Sequence, residues 1–156
     1  MKPFNFIFLS VIILLPLFSI SQQFDIVFQQ CYGGSEGDSG ADIVLIPDST
    51  FMVLSITYSD DGDISYSHGE HDIWVTKTDW QGILLWENTY GGSDTESPQQ
   101  IENDPTGGHF LLSYTQSNDG DVSGNHGGID YWVTKIDDLG NLIWQKCLGS
   151  SVNDYA

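Results

Sequence analysis

Short stretches rich in β-branched and aromatic side chains recur along this chain, each closed by Gly, Asp, Asn or Pro. They predict strands at 41–46, 51–57, 72–78 and 83–88, and again at 99–103, 110–115, 130–136 and 142–146. The connections 79–82 and 137–140 are short and end in Gly, so the strands on either side should form hairpins. No segment after the first 21 residues shows an apolar stripe at helical spacing. The pattern is all-β.

The pattern also repeats. Trp74-Val75-Thr76-Lys77 returns as Trp132-Val133-Thr134-Lys135, and Tyr32-Gly33-Gly34-Ser35 as Tyr90-Gly91-Gly92-Ser93, both at an offset of 58 residues. Laid over one another without a gap, 31–88 and 89–146 share 26 of 58 positions, too many for chance. Ile26-Val27-Phe28 matches Leu84-Leu85-Trp86, and Cys147-Leu148-Gly149-Ser150 opens a third copy. The expected organisation is a leader at 1–21, a trailing strand of a preceding unit at 22–30, repeats at 31–88 and 89–146, and the start of a third at 147–156.

Four strands in a tandem unit of this length describe a β-propeller blade. The expected fold is therefore a partial β-propeller of two four-stranded antiparallel blades, with parts of flanking blades. Trp74, Trp86, Trp132 and Trp144 should fill the gaps between blades. Two blades leave apolar faces open, so the sequence predicts either that the repeat continues beyond Ala156 or that copies associate.

Gly-Gly-Ser, an acidic stretch, and then Ile101 through Asp104-Pro105-Thr106-Gly107-Gly108-His109-Phe110-Leu111-Leu112-Ser113-Tyr114-Thr115 resemble the SBBP-type β-propeller repeat. The segment from Ser117 to Gly128 is similar to one found in the blades of exported propeller proteins of Bacteroidota. The resemblance covers 25–156. It implies an exported protein found at the cell surface, and it implies no single activity. Related chains carry glycosidase or lectin descriptions.

Residues 1–21 support export. One Lys precedes an apolar run from Phe6 to Ile20 that ends in Ser19-Ile20-Ser21, a signal-peptide pattern with cleavage before Gln22. The run is too short for a bilayer span and Pro16 interrupts it. The expectation is a secreted or cell-surface protein with no membrane insertion after cleavage.

The full chain has 4 Lys+Arg against 22 Asp+Glu, a charge of −18; losing Lys2 with the leader gives 3 − 22 = −19. Without clustered cations, neither nucleic acid nor an anionic membrane surface is a partner. The expected partner is a protein or glycan at the cell surface.

The acids themselves suggest a cation. Asp119, Asp121, Ser123 and Asn125 fall at positions 1, 3, 5 and 7 of a calcium-loop spacing, with Gly124 at 6 and Asp130 at 12. Asp61, Asp63, Ser65, Ser67 and Asp72 repeat the set, with Tyr66 in place of the Gly. The competing reading is a turn in which Asp and Ser side chains bond backbone amides. Trp80, Tyr66 and Tyr58 are candidate stacking platforms for a sugar. Gly33-Gly34-Ser35-Glu36-Gly37 mimics a nucleophile elbow, but a strand rather than a helix should follow it. No catalytic residue is expected. Cys31 and Cys147 occupy equivalent positions two repeats apart, too distant for a disulfide, so two buried free thiols are expected.

Overall fold

In a computed structural model that describes residues 25–155, the chain forms two four-stranded antiparallel sheets. The first has the order β1 (Asp38–Leu45), β2 (Phe51–Thr57), β3 (Asp72–Thr78), β4 (Leu84–Tyr90). The second repeats it with β5 (Glu96–Asn103), β6 (His109–Thr115), β7 (Asp130–Ile136), β8 (Leu142–Leu148). These are the sheets expected of propeller blades. The leader at 1–21 and residues 22–24 lie outside the described residues.

The repeat extends to register. β2 pairs β3 from Phe51↔Thr78 to Thr57↔Asp72, and β6 pairs β7 from His109↔Ile136 to Thr115↔Asp130. Irregularities at Gly40/Asp42 and Pro98/Gln100 also fall at equivalent positions. Pro98 is tolerated because β5 is an edge strand, where a missing N–H breaks no inner ladder. Each outer hairpin turns on an Asp and a Gly. Asp79 Oδ1 accepts from the amides of Gln81 and Ile83, and Asp137 Oδ1 does the same for Leu139 and Asn141.

The sheets stack because every inner strand is apolar on a face that water must leave. β5 packs across β1, β2 and β3. Met52, Leu54, Ile73 and Val75 of the first sheet meet Ile101 and Leu111 of the second in one core cluster. Full burial of a side chain of this size contributes about 1.5–3 kcal/mol. Trp132 is buried in that cluster as expected and Trp86 is half-buried against it, whereas Trp74 is buried outside the cluster and Trp144 is exposed. The only Lys residues on strands β3 and β7, Lys77 and Lys135, are nearly buried and are neutralised by Asp48 and Asp104 in the adjoining turns.

Residues 25–30 form no ladder, since the described chain offers them no neighbouring strand. The segment still holds to the first sheet: the Phe28 ring lies against Gly82, and just beyond it the Tyr32 hydroxyl donates to the Gly82 carbonyl. Both cysteines are free, but only Cys147 is buried. Cys31 is exposed, against expectation, in a segment that belongs to neither sheet.

Candidate functional site: the acidic loop rim

The loops that carry the candidate ligands gather at one end of the sheets, where β2 and β6 finish and β3 and β7 begin. Each Gly-Gly-Ser loop there exposes backbone amides with no strand to receive them, and the acids supply acceptors. Asp61 Oδ1 accepts from Ser35 N at 2.7 Å, and Asp119 Oδ1 from Ser93 N at 2.7 Å. Asp63 Oδ2 takes Gly33 N at 3.0 Å, and Asp121 Oδ2 takes Gly91 N at 3.4 Å. The backbone returns the contact: Asp63 N donates to Gly33 O, and Asp121 N to Gly91 O. The bond from Ser93 holds the Asp119 carboxyl below its ordinary value.

A second tier lies beneath. Asp38 Oδ2 accepts from Gly34 N at 2.8 Å, and its equivalent Glu96 accepts from Gly92 N at 2.9 Å through Oε2. The other oxygen takes the hydroxyl of Thr57 or Thr115, each at 2.6 Å. Glu96 is fully buried, and this raises its pKa above the ordinary carboxylate value. Asp72 lies close by, its Oδ2 accepting from His68 N at 2.6 Å. A methyl group on Gly91 would come within 2.2 Å of Asp72 Oδ1 and 2.4 Å of Glu96 Oε2, so the position admits only glycine.

The remaining candidate ligands are spread among separate partners. Ser65 bonds Glu87, and Ser123 Oγ accepts from Gln145 Nε2 at 2.6 Å. Asn125 Nδ2 donates to the carbonyls of Thr115 and Ser117. Asp130 Oδ2 accepts from His126 N at 2.9 Å, with His126 Nδ1 at 2.7 Å. Among the described residues, no three His, Cys, Asp or Glu side chains are arranged to hold a metal ion. Asp61, Asp63, Asp119 and Asp121 instead meet backbone donors of the loops 33–35 and 91–93, and Asp72 and Asp130 meet the amides of His68 and His126.

The sequence assigns no role to Glu87 or Gln145. Glu87 Oε2 accepts from Trp74 Nε1 at 2.8 Å while its other oxygen holds Ser65, and Gln145 joins Trp132 to Ser123 in the same way. The signal was present, since the pair sits at an offset of 58, but Glu and Gln do not look alike to a search for repeated acids.

The rim also joins the two sheets. His68 Nε2 lies 3.2 Å from Asp121 Oδ2 of the neighbouring sheet, and this bond raises the imidazole pKa against the opposing effect of burial. Glu96 N donates to His71 O at 2.8 Å, and away from the rim the Tyr90 hydroxyl donates to Gly140 O, in the β7–β8 turn, at 2.5 Å. Between the sheets lies a cleft of about 450 Å³, lined in part by Tyr66, His68, Glu87, Asn88, Asp121 and Asn141.

The aromatic candidates do not share a surface. Tyr58 and Tyr66 are exposed on the rim, Tyr58 against His71 with centroids 4.0 Å apart and Tyr66 edge-on to His68 at 4.8 Å. Trp80 is exposed in the β3–β4 turn, at the opposite end of the sheet. There the copies differ: Phe51 and Trp80 become His109 and Asp138, and His109 Nε2 lies 3.2 Å from Asp138 Oδ1. His109 is almost fully buried, which lowers its pKa despite the carboxylate.

No family model matches this chain, and no curated protein is significantly similar to it.

Proposed function

We propose that this chain is a non-enzymatic binding or scaffold module of an exported, secreted or cell-surface bacterial protein, built from blades of the SBBP-like kind. One observation carries the reading. Asp61, Asp63 and Asp72 hold loop backbone in the first copy as Asp119, Asp121 and Asp130 do in the second. Acids employed identically in each unit serve the unit, whereas a catalytic pair is normally set apart from the repeat. The acidic loops are therefore read as hydrogen-bonded supports for the rim, and calcium as at most an accessory to them. The test is incubation of purified protein with a panel of soluble polysaccharides: release of reducing ends that disappears on substituting one acid would overturn the reading.

A carbohydrate-binding role, lectin-like or attached to a glycoside hydrolase, is the second reading. It is favoured by exposed Tyr66 beside the polar cleft with Glu87, Asn88 and Asn141. An apolar ring flanked by amide and carboxylate groups suits a sugar. Glycan-array binding that is lost with Tyr66→Ala but kept with Trp80→Ala would support it, since only Tyr66 stands on the cleft.

A further inference from the structure

The two sheets bury opposite faces, and what each leaves open is complementary. In β2, Met52 and Leu54 are fully buried against the second sheet, while their equivalents in β6, Phe110 and Leu112, are half-buried. The reverse holds for the other face: Leu111 is fully buried and its equivalent Val53 is half-buried. At the margins the contrast is sharper. Ile43 is 61% exposed where Ile101 is 2%, and Leu148 is 47% exposed where Tyr90 is 3%. The outer face of the second sheet thus carries the half of the seam that the first sheet uses, and the outer face of the first carries the other half.

We propose that these two outer faces dock on one another between two copies of this chain, head to tail. The second sheet of one copy receives the first sheet of the next, repeating the seam already present within each chain. His126 of one copy then stands by Asp63 of the next as His68 stands by Asp121, an imidazole against a carboxylate. Ile43 enters the position that Ile101 holds, and Trp144 the position of Trp86. The contact is heterologous, so it builds rings or open filaments rather than a two-fold dimer.

Two segments occupy parts of the seam in the single chain. Residues 28–32 lie on Gly82 much as Trp86 and Tyr90 lie on Gly140. Residues 150–154 fold onto Ile129 as 92–96 fold onto His71, with Asp154 N donating to Ile129 O at 2.7 Å. Docking exchanges such a segment for its equivalent in the partner, so those contacts are regained while the apolar seam is added. Residues 28–30 have no ladder bonds to lose, which keeps the exchange cheap.

Sedimentation velocity on purified protein across a concentration series tests this. The expected result is reversible association that is lost in Ile43→Glu and lost in Trp144→Glu. Both side chains are exposed, so each variant should keep its far-UV circular dichroism. Because each variant spoils a different face, mixing the two should restore a one-to-one dimer and nothing larger. A chain that stays monomeric at its highest soluble concentration overturns the proposal. So does association that survives either substitution, or a mixture that remains monomeric.

Discussion

His68 of the first sheet and Asp121 of the second form a pair 3.2 Å apart, 53 residues distant in sequence and set across the seam. A double-mutant cycle with His68→Ala and Asp121→Asn should give a coupling of roughly 0.5–1 kcal/mol, the range for partly solvated pairs. A coupling of zero would mean that the pair does not join the sheets.

The two histidines that meet carboxylates across the fold should titrate in opposite senses. The His68 value is raised, chiefly by its bond to Asp121, so its stabilisation is complete below the unfolded value of 6.5 and fades as pH rises through the folded value. The His109 value is lowered, chiefly by burial, so the fold favours the neutral ring and loses stability as pH falls through 6.5 toward the folded value. NMR titration of the ring protons should place the two on opposite sides of 6.5. The same order for both would contradict the contacts described.

If the acidic loops are backbone supports, Asp119→Asn should lower Tm by a few degrees, because the bond it offers Ser93 N weakens. The drop should be the same in calcium and in chelator. A Tm that rises with calcium in the native protein but not in the variant would return these residues to ion binding.

Gly91→Ala should destabilise by more than about 2 kcal/mol, since its methyl would collide with Asp72 and Glu96, both held in place by their own bonds. Denaturant melting of this variant against Gly107→Ala separates the causes. Gly107 has φ +114 but open space around it, so it pays backbone strain alone.

Cys31 should react with a thiol reagent in the folded protein, whereas Cys147 should react only on unfolding. Burial covers Cys147 and pushes its thiol up to about 11. Two equal fast phases would place Cys147 at the surface.

The strands were legible where β-branched and aromatic residues cluster between Gly, Asp, Asn or Pro, and β2, β3 and β7 begin and end as that pattern predicts. Strands β1 and β5 start earlier than expected, at Asp38 and Glu96. An acid at a strand's first residue does not read as strand; here half-buried Asp38 and buried Glu96 are needed as acceptors for Gly34 and Gly92. Backbone-bonding acids were one of the two readings the acidic loops offered, but the donors they meet were not legible. Asp61 and Asp63 meet donors at Ser35 and Gly33, 26 and 30 residues earlier, and local spacing cannot show a partner at that range. The His109–Asp138 pair was hidden for another reason: it departs from the repeat in both members, and repetition was the guide.

Stacking itself is tested most directly by the isoleucine pair. With a soluble paramagnetic agent and chain dilute enough to be monomeric, the Ile43 methyl signals should broaden strongly and those of Ile101 should stay sharp. Equal broadening of the two would mean that the sheets do not cover one another, and the account would fail at its base.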